Sequence, residues 1–256
     1  MSAISTERLY GEITGSTATL AGLIGGTDLT RPVPTCPEWT MRQLVTHVGR
    51  AHRWATAIVA TRAAGPIPFR DIPGGKLPGD QRAQAEWLNA GAAALAATVQ
   101  AAGDGQVWTH NGPGPARYWA RRMAHETAVH RADGQIAVGT RPVIDPVIAA
   151  DGLAEWLGFL PDGPAGQQAD HPAPVPEGKV IHLHATDAAA DGEWLIHGVP
   201  GGVTVAAGHG KGDLALRGPA SAILLVLLRR LPPGDPAVEV IGDRSLLDAW
   251  LAATPF

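Results

Sequence analysis

Glu126 and His130 stand four residues apart in the run RRMAHETAVHRADGQ, and on an α-helix that spacing aims both side chains at one point. Each residue turns the helix by about 100°, so four steps bring the second side chain to within roughly 40° of the first. A carboxylate and an imidazole placed in this way form a pair of metal ligands. His125 lies five residues before His130, roughly 140° away by the same arithmetic, so those two histidines do not readily share an ion. HETAVH therefore differs from the HExxH motif of metalloproteases, because Val129 occupies the place of the second histidine. The pattern takes its third ligand from His47, in TMRQLVTHVGRAHRW, on another expected helix.

The plain alternative for Glu126 and His130 is an i,i+4 polar pair on a solvated face, worth about a few tenths of a kcal/mol. The neighbours Met123, Ala124, Thr127 and Ala128 are too apolar or small for such a face and argue for partial burial. His52, five residues from His47, falls on a different side of its helix. His182 and His184 alternate on a strand, a spacing that also suits a metal, but no third ligand is evident nearby and they read as polar-face residues. Asp187, Asp191 and Glu193 miss the EF-hand spacing and read as a hairpin turn. Cys36, the only cysteine, precedes a proline, has no base partner that the sequence identifies, and reads as structural. A single cysteine excludes an intrachain disulfide and fits a reducing compartment, so thiol chemistry would use a thiol brought from outside.

The elements that must position these groups are helical over the first 140 residues. A first helix is expected near residues 4–24, ending at Gly25-Gly26, and a second after the Thr40-x-x-Gln43 capping box. Leu44, Val48, Ala51, Ala55 and Ile58 follow the helical period, and His47 lies on or beside that stripe. The proline- and glycine-rich stretch 65–79 predicts a long loop. Helices over about 80–102 and 116–137 complete a four-helix bundle, a fold that builds metal sites from side chains on facing helices. Beyond residue 140 the pattern predicts a helix near 145–157, a linker at about 159–178, and a small α+β domain whose strands form an antiparallel meander. The expected division is a metal-binding bundle over 1–142 and an α+β domain over 143–256.

Composition narrows the function. The chain has 256 residues, 45% of them apolar, and no apolar run long enough for a membrane span. Its N-terminus is polar from the start, which predicts a cytoplasmic protein. A net charge of −4 without a basic stripe argues against nucleic acid and for a small-molecule partner, the protein being a monomer or homodimer. Seventeen arginines against three lysines, with much Ala, Gly, Pro and Val, suggest a GC-rich coding sequence.

The segments CPEWT, LVTHVGRAHRW and RMAHETAVHRADGQIAVG, in that order, resemble the mycothiol-dependent maleylpyruvate isomerase family of actinobacteria. HATDAAADGEWLIHG, DLALRGPASAILLVLLRRL and IGDRSLLDAW resemble its C-terminal domain, so the resemblance spans nearly the whole chain. It implies a DinB-like four-helix bundle that holds a divalent metal, usually zinc, through His47, Glu126 and His130. It also implies a sterol-carrier-protein-like α+β domain, mycothiol as the thiol cofactor, and cis–trans isomerisation or thiol S-transfer as the activity.

Two imidazoles and a carboxylate leave a zinc position open, which thiol activation requires. The expected nucleophile is a metal-bound thiolate attacking a small electrophile. Arg50, Arg53 and Arg217 are candidates for binding a dicarboxylate or its enolate. The competing expectations are a metal-dependent hydrolase using bound water and a metal-binding module without turnover.

Overall fold

The computed structural model describes residues 4–160, 173–188 and 192–254. The chain divides into two compact units, one reaching to Pro142 and the other starting at Val143.

The first unit holds four long helices: α1 (Thr6–Ile24), α2 (Met41–Ala60), α3 (Gln81–Ala102) and α4 (Arg117–Ala137). Their boundaries follow local chemistry. Ser5 caps α1 through the Arg8 backbone N–H, and Asp80 caps α3 through that of Ala83. At α2, Gln43 Oε1 accepts from the Thr40 backbone N–H at 2.7 Å and from its hydroxyl at 3.0 Å. Helix α1 packs on α3 and α4, and α2 packs on the same two. Leu20, Ile24, Met41, Leu44, Val48 and Leu88 are buried in the core between them.

Two close approaches set the spacing. A Cβ on Gly49 would lie 1.9 Å from the Trp87 ring, and one on Gly134 would lie 2.8 Å from Leu20, so α2 meets α3 and α4 meets α1 at glycines. The segment before α4 is a short hairpin of β1 (Gln106–Thr109) and β2 (Gly112–Pro115). Periodicity misses it because four-residue strands rich in glycine and proline carry no alternation.

In the second unit, α5 (Pro146–Phe159) is capped by Asp145 and opens on Pro146. A five-stranded sheet follows, made of β3 (Val180–Ala185), β4 (Glu193–Val199), β5 (Gly202–Ala207), β6 (Leu214–Gly218) and β7 (Glu239–Gly242), in the order β5-β4-β3-β6-β7. It is not the expected meander, because β3 and β6 pair in parallel. After the β3-β4-β5 antiparallel run the chain returns past β4 to the free side of β3. Alternation within a strand does not report its neighbour's direction. Helix α6 (Ala220–Leu227), buried throughout, packs on β3, β6 and α5. Asp187, weighed above as a calcium ligand, accepts from the Ala220 N–H at 2.7 Å and so caps α6 instead. Asp191 and most of the expected linker lie outside the described residues. Helix α7 (Ser245–Ala253) sets Trp250 against Trp156 of α5. The architecture is mixed helix and sheet. No described helix is long and apolar enough to cross a membrane.

Candidate metal centre

On α4, Arg122, Glu126, His130 and Asp133 recur at intervals of four, four and three residues and so share one face. Opposite them His47 projects from α2. His47 Nε2 lies 2.9 Å from Glu126 Oε1, and His130 Nε2 lies 3.3 Å from the same oxygen. One ligand atom from each of the three residues falls within 4.8 Å of the other two. The residues that spacing selects are thus brought together by the packing of α2 on α4.

Each is held by further groups. Asp133, with no exposed surface, accepts from His130 Nδ1 at 2.8 Å, from the Cys36 thiol at 3.3 Å and from the Thr35 hydroxyl. Three donors satisfy a carboxylate that would be costly to bury alone. Arg122 donates to Glu126 Oε2 at 2.7 Å, leaving Oε1 for the histidines. Trp39 lies against both imidazoles, its ring centroid 4.9 Å from that of His47 and 5.9 Å from that of His130.

The loop before α2 supplies Thr35, Cys36 and Trp39. Hydrogen bonds from Val33 N to Trp39 O and from Met41 N to Arg31 O close it into an arch. Glu38 sits at φ +68° in its tight turn, a conformation that a non-glycine residue adopts at some cost.

Electrostatics match this geometry. Burial would raise the Glu126 pKa, but hydrogen bonds from His130 and His47 and the charges of His130 and Arg122 hold it well below the usual carboxylate value. Burial also disfavours the His130 cation, yet Asp133, Cys36 and Glu126 overcome this and raise its pKa well above the ordinary value. The centre is built to hold a positive charge next to Glu126.

The residue types fit a metal for a specific reason. Asp133 accepts the Nδ1–H of His130, so a neutral His130 turns a lone pair from Nε2 toward an anionic oxygen. A metal ion bound there would take the place of the proton that His130 Nε2 shares with Glu126 Oε1 across 3.3 Å. A ligating histidine that donates its other N–H to a carboxylate is the common outer-shell arrangement of zinc sites.

The other candidates make contacts of their own. His125 is buried on α4 and is not part of the group. His52 is fully buried on α2, its Nε2 donating to Thr127 Oγ1 at 2.8 Å while that hydroxyl donates to the Met123 carbonyl. Arg53 donates to the carbonyls of Gly49 and Trp87 at 2.9 and 2.8 Å and stacks 4.0 Å from the Trp87 ring centroid, clamping α2 to α3. Arg50 donates to the Phe69 carbonyl at 3.0 Å and keeps a buried Nε without a hydrogen-bond partner. Arg217, in the second unit, is half exposed and lies 3.6 Å from Glu239 across β6 and β7.

Sequence reasoning missed Asp133, Arg122 and Trp39. The first two were accessible through their helical spacing from His130 and Glu126, and the third only through the CPEWT motif.

Residues 10–134 match a family model described as the mycothiol maleylpyruvate isomerase N-terminal domain, and residues 147–249 match one described as the MDMPI C-terminal domain. No curated protein matches. Among solved structures the chain is similar to that of a mycothiol-dependent maleylpyruvate isomerase, at 16% identity and a TM-score of 0.58 over 93% of each chain. A histidine-to-alanine mutant of such an isomerase is similar at 15% identity and 0.59, again over 93% of each. Identities this low speak for the fold, whereas the two family models together span most of the chain. The chain therefore belongs to the mycothiol-dependent maleylpyruvate isomerase family of enzymes.

Proposed function

We propose that this protein is a metal- and mycothiol-dependent isomerase of a small maleylpyruvate-type electrophile, with His47, Glu126 and His130 as ligands of one divalent ion. The observation that carries the reading is the meeting of two imidazole nitrogens at one Glu126 oxygen, with His130 oriented from behind by Asp133. A divalent ion bound there supplies deprotonation of a coordinated thiol, whose free pKa of about 8.5 leaves it mostly protonated at neutral pH. Three protein ligands match the number common in catalytic zinc sites, and this donor set also accepts Ni, Co or Fe.

The chain's own residues perform the rest. Asp133 and Arg122 fix the directions of the His130 nitrogen and the Glu126 oxygen, and Trp39 shields the histidines from water on one side. The mycothiol thiolate adds to the activated cis double bond, the resulting single bond rotates, and expulsion of the thiolate leaves the trans isomer with no net transfer of the thiol. In an S-transfer variant of the reaction the adduct would be released instead. Arg50, with its unspent donor, and the half-exposed Arg217 are proposed partners for substrate carboxylates. Arg53, whose guanidinium is committed to two carbonyls, is a weaker candidate. The DinB-like character of the helical unit and the sterol-carrier-like character of the second belong to the same proposal, as does a cytoplasmic location.

The test is isomerisation of maleylpyruvate by zinc-loaded protein with and without mycothiol. Turnover that requires the thiol supports the proposal. Thiol-independent hydrolysis would identify a metal-activated water mechanism instead.

A further inference from the structure

The second unit contains a cluster that this function does not use. Glu193 Oε2 lies 2.8 Å from His182 Nε2 and 2.7 Å from His209 Nδ1, and His184 Nδ1 lies 4.0 Å from the same oxygen. One ligand atom each from His182, Glu193 and His209 falls within 4.8 Å of the other two.

Sheet pairing explains a convergence that the sequence hides. His184 of β3 stands directly opposite Glu193 of β4, and His182 is two residues back on the same face. The third group arrives from the connection between β5 and β6. Gly208 leaves β5 at φ +134°, and a Cβ on Gly212 would lie 3.0 Å from the His182 backbone nitrogen, so this segment folds closely over β3. His209 is thereby carried to Glu193. Spacing alone left His182 and His184 without a third ligand, because Glu193 reads as part of a turn and His209 lies 25 residues beyond His184.

We propose that His182, Glu193 and His209 form a second divalent-metal site, suited to a borderline ion such as zinc, with His184 as a neighbouring fourth ligand. Two imidazoles and one carboxylate are the donor types that such ions prefer. Metal–ligand bonds of about 2.1 Å in tetrahedral geometry separate ligand atoms by roughly 3.4 Å, so each histidine need draw back from Glu193 by only about 0.6–0.7 Å. The side chains are graded for this. His182 is 7% exposed, Glu193 25% and His209 76%, so the site opens to solvent on the His209 side. The ion would tie β3, β4 and the β5–β6 connection together and so stabilise the folded unit.

The experiment is calorimetric titration of zinc into metal-stripped full-length protein, using His47→Ala to remove the α2/α4 centre. This variant is expected to bind one equivalent and to gain several degrees in Tm with zinc. Adding His209→Ala, at an exposed position, should abolish both effects with the circular dichroism spectrum unchanged, and Glu193→Gln should act alike. Failure of His47→Ala to bind zinc, or an unchanged equivalent after His209→Ala, would overturn the proposal. The α2/α4 centre is read separately, from the equivalent that His47→Ala itself removes from the wild type. The two proposals therefore stand or fall independently.

Discussion

Asp133 accepts the Nδ1–H of His130 at 2.8 Å, and this turns His130 Nε2 toward Glu126 Oε1, 3.3 Å away. The relationship joins two positions three residues apart on α4 and makes a buried carboxylate the rear support of the candidate centre. Asp133→Ala is expected to lower zinc affinity about 10- to 100-fold while leaving all three ligands in place. Competition titration against a chromophoric chelator measures this. Unchanged affinity would reduce Asp133 to a packing role.

Acid should destabilise the protein partly through His52. Burial, and then the nearby Arg53 charge, lower its pKa from 6.5 to about 4. Below pH 6.5 the unfolded chain gains a proton that the folded protein refuses until about pH 4, so stability falls as pH drops through this window. The contribution is roughly 3 kcal/mol between neutral pH and pH 4. Urea midpoints at pH 7 and pH 4.5 should therefore differ less in His52→Gln than in the wild type. An equal difference would show that His52 does not carry the effect.

Gly49→Ala tests the approach of α2 to α3 that sets where His47 stands. The added Cβ would meet the Trp87 ring at 1.9 Å, and Trp87 is held through its indole N–H by the Gly74 carbonyl. A cost of about 1–3 kcal/mol is expected from overpacking, read from chemical denaturation. A neutral result would mean that Trp87 swings aside freely.

The arginines should separate by readout. Arg53→Ala removes two charge-assisted bonds to carbonyls and the stack on Trp87, so a loss of roughly 1–3 kcal/mol in stability is expected. Arg217→Ala breaks only an exposed pairing at 3.6 Å and should change stability by less than about 0.5 kcal/mol. If Arg217 binds a substrate carboxylate, its loss raises KM for maleylpyruvate. Wild-type kinetics in Arg217→Ala would remove it from that role.

The helical part of the fold was largely legible in the sequence because its signals are local. The Thr40–Gln43 pair marks the start of α2, and the Leu44–Ile58 stripe gives its buried face. His47, Glu126 and His130 were legible for the same reason: two share one helix face, and the third lies beside a buried stripe. What stayed hidden depends on contacts distant in sequence. The parallel pairing of β3 with β6 follows from chain crossover, and two of the donors that satisfy the buried Asp133, Thr35 and Cys36, lie about a hundred residues earlier. The β1–β2 hairpin lacks alternation, and the cluster at Glu193 exists only through sheet register and the fold of the β5–β6 connection over β3.

The most direct test of the central claim uses cobalt in place of zinc. Mycothiol is added to cobalt-loaded wild type and to His47→Ala while the near-ultraviolet spectrum is followed. The expected result is a thiolate-to-cobalt charge-transfer band in the wild type that saturates with mycothiol and is absent from the variant. A wild type that shows no such band, or a variant that shows it undiminished, would contradict the assignment of thiol activation to His47, Glu126 and His130.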